Sequence, residues 1–176
     1  MPPAAYMFDT NIFNAVIDGK HDVGLLPTNS RYFTTHIQLD ELKNTPTGER
    51  RDALLGVFNT IAATGVPTES AVWDVSAYDE AKWSDHPAIV PTESLVIGSS
   101  RLGLAKLGDG SVYQKLLDLL ECKKPNHRNN RKDALIGETA LKNGYVLVTN
   151  DAALAESAKV MGGVVLNWRE FLDQAN

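Results

Sequence analysis

The sequence predicts an α/β protein with a parallel central sheet and helices on both of its faces. Short apolar runs alternate along the chain with segments whose apolar residues recur every three or four positions, a pattern typical of strands followed by helices. The 176 residues suit one domain, so we assign 1–176 to a single unit. Hydrophobic residues make up 43% of the chain, which is enough for a packed core and excludes an intrinsically disordered protein.

The first part of the chain is predicted to contain strands and helices separated by glycine or proline. The run Arg-Tyr-Phe-Thr-Thr is rich in aromatic and β-branched residues, which favour strands. Gly19, Pro46 and Pro67 mark points at which helices end. In chain order the predicted elements are a strand at Ala4–Phe8, a helix at Asn11–Ile17, a strand at Arg31–Thr35, a helix at His36–Asn44, a helix at Arg50–Ala63 and a strand at Ala71–Val75.

The second part begins with a less typical stretch at 78–110, where repeated Pro and Gly favour irregular structure with one or two short helices. Regular patterns then return, and Gly144 closes one of the helices as a C′ residue. The predicted elements are helices at Ser111–Cys122 and Asp133–Asn143, a strand at Tyr145–Thr149, a helix at Asp151–Met161, a strand at Val164–Leu166 and a helix at Trp168–Leu172.

Composition excludes several classes of protein. One cysteine excludes a disulfide framework and a cysteine-rich zinc site, and no apolar stretch reaches the ~20 residues of a membrane span. The N-terminal residues lack the cationic start of a secretory signal, so we expect a cytoplasmic protein. Neither the glycine-lysine signature of a phosphate-binding loop nor the serine elbow of the common hydrolases is present.

A basic segment at 123–132 stands out on an acidic chain. It contains five of the 17 lysines and arginines and none of the 22 acidic residues, while the formal net charge of the whole chain is −5. Such a segment could hold phosphates, which makes Lys124, Arg128, Arg131 and Lys132 candidates for RNA binding. The alternative is an ordinary solvated loop, as most charge runs are.

Three acidic residues lie at the starts of predicted elements. Asp9 ends the first strand, Asp151 follows the strand at Tyr145–Thr149, and Asp133 begins a helix directly after the basic segment. In open parallel sheets, ligands bind beyond the carboxyl ends of the strands, so Asp9 and Asp151 fall on the edge where a site is expected. Each of the three has an alternative role as a helix N-cap.

Glu41 is a fourth candidate because of its position on a helix. With about 100° per residue, Glu41 lies within the apolar arc that contains Ile37, whereas Asp40 faces away. A carboxylate turned toward the buried side is costly unless it is paired or bound to metal, and a salt-bridged glutamate is the alternative. Glu138 lies about 140° around its helix from Asp133, and we expect it to face solvent.

Clustered carboxylates without histidine or cysteine partners indicate a hard cation. Oxygen ligands suit Mg²⁺ or Mn²⁺ and not zinc. A metal held by a few carboxylates, water and substrate phosphate would activate water for in-line attack on a phosphodiester.

Four segments resemble the motifs of PIN-domain nucleases in order, spacing and element type. They are Tyr6–Asn11, Thr34–Leu42, Asp133–Ala140 and Gly144–Asp151, and the similarity runs from Tyr6 to about Leu172 with the exception of Tyr78–Gly110. The resemblance implies a parallel sheet with flanking helices and a divalent-metal ribonuclease site. It assigns Asp9, Glu41, Asp133 and Asp151 as catalytic and metal-binding residues, with Asn11 and Thr149 in support.

The resemblance extends to VapC-type toxins, and this implies an RNA substrate and a small antitoxin protein as partner. A homodimer is also left open. The competing interpretation is a catalytically silent α/β module, either regulatory or RNA-binding, that uses the same acidic pocket without hydrolysis.

Overall fold

The computed structural model describes residues 4–61, 64–66 and 110–175. Within these residues five parallel strands form one sheet, in the spatial order β3-β2-β1-β4-β5. The strands are β1 (Ala5–Phe8), β2 (Arg31–Thr34), β3 (Thr64–Gly65), β4 (Val146–Val148) and β5 (Val165–Leu166). The predicted α/β class with a parallel central sheet is confirmed. The strand predicted at Ala71–Val75 and nearly all of the less typical stretch lie outside the described residues.

The helices of the described residues follow the predicted order. They are α1 (Thr10–Ile17), α2 (His36–Lys43), α3 (Glu49–Ile61), α4 (Ser111–Lys123), α5 (Asn130–Asn143), α6 (Ala152–Val160) and α7 (Trp168–Ala175), with a short 3₁₀ helix at Val23–Leu25. Strand β3, whose Thr64 and Gly65 pair with the end of β2, is not among the predicted elements. A strand of two residues has no periodicity to detect, and only its neighbour in space defines it.

Alternate residues of the central strands point to opposite faces of the sheet. Met7 and Leu147 pack into one core with buried residues of α4, α5 and α6. Phe8 and Val148, the next residue in each strand, pack into a second core with residues of α1, α3 and α7. The helices therefore cover both faces, which explains why the central strands are apolar throughout.

The strand order places a topological switch beside β1. From β1 the chain runs to β2 and β3 on one side, and β4 and β5 lie on the other side. Ligands of open parallel sheets bind in the crevice at such a switch, beyond the carboxyl ends of the strands. Asp9 follows β1 directly, and Thr149 follows β4 directly.

Candidate metal and nucleic-acid site

Asp9 is both a helix cap and a member of an acidic cluster. It is 4% exposed, and its Oδ1 accepts a hydrogen bond of 2.6 Å from the backbone N–H of Thr10 at the start of α1. Its Oδ2 accepts from Asn11 Nδ2 at 2.5 Å and from Thr149 Oγ1 at 2.7 Å. The N-cap alternative is therefore correct for Asp9, but capping uses only one of the two carboxylate oxygens.

Asp151 also caps a helix with one oxygen. Its Oδ1 accepts from the backbone N–H groups of Ala153 and Leu154 in the first turn of α6, at 2.8 and 3.2 Å. Its Oδ2 forms an ion pair with the ammonium group of Lys124, which follows α4. The second oxygen of Asp151 thus faces a cation from the basic segment.

Glu41 reaches the same region from α2. Its Oε2 accepts a hydrogen bond of 2.5 Å from Thr10 Oγ1, and its Oε1 pairs with Lys132 Nζ at 3.2 Å. The side chain is only 16% exposed. Its contacts with α1 and α5 agree with its predicted position on the apolar arc of the helix. The salt-bridged glutamate that the sequence left open as an alternative is also present.

Asp133 does not cap a helix. Helix α5 begins at Asn130, with Asn129 in the N-cap position, so Asp133 lies one turn inside the helix. No hydrogen bond to its half-buried carboxyl group is present among residues 4–61, 64–66 and 110–175. The helix starts earlier than predicted. The charge pattern favoured a loop at 123–132, but the last residues of this basic segment form the first turn of α5.

Electrostatic repulsion links the four carboxylates. Burial, and then the charges of Asp9, Asp151 and Glu41, raise the pKa of Asp133 to about 8. Burial also raises the pKa of Asp9 to about 6, against the lowering effect of the hydrogen bonds from Thr149 and Thr10, and the charges of Glu41 and Asp151 add smaller increases. Asp133 therefore lies within electrostatic reach of the three other predicted acids.

The pKa of Asp151 is shifted in the opposite direction from the pKa values of Asp133 and Asp9. Burial alone would raise its pKa, but the hydrogen bond and charge of Lys124, together with the backbone N–H groups of α6, hold the pKa below its usual range. At neutral pH the cluster therefore combines a firmly ionised carboxylate at Asp151 with a carboxyl group at Asp133 that retains its proton.

Asn11 and Thr149 connect the ends of β1 and β4. Asn11 Nδ2 donates to Thr149 Oγ1 at 3.0 Å as well as to Asp9, and Asn11 Oδ1 accepts from the backbone N–H of Asn150 at 3.2 Å. Thr149 Oγ1 accepts in turn from the backbone N–H of Asp151 at 3.0 Å. These contacts fix the distance between Asp9 and Asp151.

Sequence reasoning missed two further residues of this region. Thr10 holds Glu41, as described above. Gln38, which is fully buried, donates from Nε2 to the carbonyl oxygen of Phe8 at 2.9 Å, while its Oε1 accepts from both the backbone and the side chain of Thr35. The Thr-x-x-Gln spacing of Thr35 and Gln38 is a capping-box signature that the sequence already contained.

The four basic candidates do not share one surface. Lys124 and Lys132 contact the carboxylates Asp151 and Glu41, whereas Arg128 is exposed on the rim of a neighbouring cleft. Arg131 is exposed on the other side and acts electrostatically on residues of α4. Successive helical residues are about 100° apart, so Arg131 and Lys132 point in different directions.

Glu138 corrects a sequence-based expectation. It is fully buried, with an ion pair of 2.9 Å to Lys142, and does not face solvent. Helix α5 packs against both α4 and α6, so residues on nearly its whole circumference are covered. Periodicity measured from Asp133 could not detect a helix buried on several sides.

The donor set fits a hard divalent cation by its chemistry, since every candidate ligand is a carboxylate oxygen. The side-chain positions are less favourable, because no three Asp, Glu, His or Cys side chains in the described part of the chain are arranged as a ready metal site. The carboxylates of Asp151 and Glu41 pair with Lys124 and Lys132 instead.

No helix in the described residues has the length and apolar character needed to cross a membrane.

No family model matches the chain, and neither does any curated protein sequence. The chain is similar to a chain in the crystal structure of VapBC2 from Rickettsia felis bound to a DNA fragment from their promoter. The identity is 20%, the TM-score is 0.49, and the match covers 93% of this chain and 98% of that one.

Proposed function

We propose that the protein is a divalent-metal-dependent endoribonuclease that hydrolyses RNA phosphodiester bonds. The observation that carries this proposal is the gathering of Asp9, Glu41, Asp133 and Asp151 at the carboxyl edge of the sheet, beside the switch between β1 and β4. Carboxylates crowded together repel one another, which destabilises the fold unless a positive charge compensates for them. Such a cluster is expected at a site where a bound cation balances the charges of both the carboxylates and a phosphate.

Each residue has a role in this proposal. The four carboxylates hold Mg²⁺ or Mn²⁺, which when bound supplies an activated water and neutralises the phosphate. Asn11 and Thr149 hold Asp9 in one orientation through hydrogen bonds to its Oδ2. Lys124 and Lys132 neutralise the carboxylates and donate to the substrate phosphate once a cation takes their place.

The competing function is a catalytically silent RNA-binding module. The observation in its favour is that Lys124 and Lys132 already pair with Asp151 and Glu41, which leaves no three-ligand metal arrangement in the described residues. In that case RNA would bind through the basic residues without being cut. The two functions therefore differ in their response to metal.

An RNA cleavage assay distinguishes the ribonuclease from the silent RNA-binding module. The full chain is incubated with labelled single-stranded RNA in Mg²⁺, in Mn²⁺ or in EDTA, and the Asp133→Asn variant is compared with Asp173→Asn, an exposed position on α7. We expect metal-dependent cleavage by the wild type and by Asp173→Asn, and none by Asp133→Asn. Cleavage that persists in EDTA or in Asp133→Asn would refute the metal mechanism. RNA binding without any cleavage would establish the silent module.

The proposal includes a protein partner. The resemblance to VapC-type toxins implies a small antitoxin, and a homodimer is a further proposal. Co-expression with the product of an adjacent reading frame, followed by co-purification, tests the first. Light scattering of the purified chain tests the second.

A further inference from the structure

A polar cleft borders the acidic cluster on its α2 side. It has a volume of about 490 Å³, within the roughly 300–1,000 Å³ typical of sites for small ligands. Its lining comes from the end of α2 and the start of α5, namely Glu41, Asn44, Thr45, Arg128, Asn129 and Lys132. The cleft therefore lies between two elements that also carry members of the cluster.

Glu41 forms a wall between the cleft and the cluster. One of its oxygens accepts from Thr10, the neighbour of Asp9, and the other pairs with Lys132, which lines the cleft. A group bound in the cleft is thus next to a group bound at the carboxylates. A nucleic acid strand bound at the carboxylates can therefore place an adjacent part of its backbone in the cleft.

The charges of the cleft suit a phosphate. Arg128 is exposed at its rim and has no ion-pair partner within the described ranges, whereas the charge of Lys132 is balanced by Glu41. An arginine without a carboxylate partner can form two parallel hydrogen bonds to a phosphate. The cleft thus offers a phosphate group a cation that has no ion-pair partner among the described residues.

The remaining lining residues suit a sugar hydroxyl. Asn44, Thr45 and Asn129 are uncharged and can both donate and accept hydrogen bonds. Asn129 occupies the N-cap position of α5, yet its side chain makes no capping hydrogen bond, and within residues 4–61, 64–66 and 110–175 its amide has no other hydrogen-bond partner. The 2′-hydroxyl distinguishes RNA from DNA, and it both donates and accepts.

We propose that this cleft is a subsite for the ribose–phosphate unit adjacent to the cleaved bond. Arg128 binds the phosphate, and the amides of Asn44 and Asn129 select ribose over deoxyribose. The proposal rests on the ribonuclease function for the position of the cleaved bond. It adds to that function the residues that choose RNA as the substrate.

The test measures binding in EDTA, where no metal-dependent cleavage can occur. Fluorescein-labelled pools of random-sequence single-stranded RNA, DNA and fully 2′-O-methylated RNA of equal length are titrated with the full chain and followed by fluorescence anisotropy. We expect the wild type to bind RNA about three- to tenfold more tightly than the other two pools, the effect of one or two net hydrogen bonds.

Two variants separate phosphate from sugar recognition. Arg128→Gln should weaken RNA and DNA binding by the same factor and reduce the salt slope by about 1, whereas Arg169→Gln on α7 should change neither. The double variant Asn44→Ala with Asn129→Ala should lower RNA affinity to the level of DNA, while Gln114→Ala on α4 keeps the preference. Melting temperatures check that each variant is folded.

The outcomes distinguish the subsite from the ribonuclease function. An RNA preference that survives in the double variant, or an Arg128→Gln variant with unchanged affinity, would overturn the subsite even if the wild type cleaves RNA in Mn²⁺. Loss of the RNA preference in the double variant would support it. If the wild type then fails to cleave in Mg²⁺ or Mn²⁺, the subsite stands as the ligand site of a silent RNA-binding module.

Discussion

The hydroxyl group of Thr10 donates a hydrogen bond of 2.5 Å to Glu41 Oε2, across 31 residues of sequence. Thr10 is the first residue of α1, directly after Asp9, and Glu41 lies on α2. The bond therefore brings the carboxylate of the second strand–helix unit to the end of the first. Lys132 holds the other oxygen of Glu41, so three separate elements determine where this side chain points.

Replacing Glu41 by Gln tests whether this carboxylate binds metal. The amide keeps an acceptor for Thr10 but loses the charge, so the rise in melting temperature caused by Mg²⁺ or Mn²⁺ should shrink. For the wild type, linkage predicts about 2.7 kcal/mol of stabilisation at a hundredfold excess over Kd. Thermal melting across a metal titration measures the difference. Asp40→Asn, one residue away on the same helix, is the control, and an equal response of both variants would exclude Glu41 as a ligand.

Asp133 should make the stability of the metal-free protein depend on pH. Its pKa is raised to about 8, so the folded state keeps a proton that the unfolded state releases near pH 4. The free energy of unfolding should therefore fall between about pH 4 and pH 8. Each pKa unit corresponds to about 1.4 kcal/mol, and each kcal/mol to about 2–4 °C in Tm.

The Asp133→Asn variant removes this titration. In EDTA, its melting temperature relative to wild type should be higher at pH 9 than at pH 5, because only the wild type acquires the charge of Asp133 over that range, whereas Asp9 titrates in both proteins. Melting curves at several pH values give the comparison. Parallel pH profiles of the two proteins would mean that Asp133 is ionised throughout.

Lys124 should compete with a divalent cation for Asp151. Its ammonium group pairs with Asp151 Oδ2, so the Lys124→Met variant removes a resident positive charge while keeping most of the aliphatic chain. At pH 8 we expect tighter Mn²⁺ binding and weaker RNA binding than in the wild type. Calorimetric titration with Mn²⁺ and anisotropy with RNA measure the two effects. Lys115→Met, exposed on α4, should alter neither, and a loss of Mn²⁺ affinity in Lys124→Met would contradict the competition.

Thr149 should stabilise the junction of β1 and β4. It is 1% exposed, and its hydroxyl group bonds to Asp9, Asn11 and the backbone of Asp151. Val has nearly the same shape but makes none of these hydrogen bonds, and we expect their loss to cost about 1–3 kcal/mol. Denaturant unfolding of Thr149→Val should show this loss. Thr60→Val on exposed α3, whose hydroxyl bonds only to a helix carbonyl, should lose much less, and equal losses would refute the argument.

The order of most strands and helices, and the positions of two acids at strand ends, could be predicted from the sequence alone. The apolar runs of β1 and β4 and the periodicity of the helices are short-range patterns. They can be recognised without knowing how the rest of the chain folds. Asp9 and Asp151 follow their strands at positions that the sequence reveals directly. The inward direction of Glu41 also followed from helical periodicity alone.

The partners that these residues contact depend on the tertiary structure. Lys124 and Lys132 pair with Asp151 and Glu41 over separations of 27 and 91 residues, and no local pattern encodes such contacts. Glu138 is buried because α4 and α6 both cover α5, and the two residues of β3 form a strand only because β2 lies beside them. Burial and ion pairing depend on residues from distant parts of the chain that pack nearby. Together they determine the charge balance of the acidic cluster.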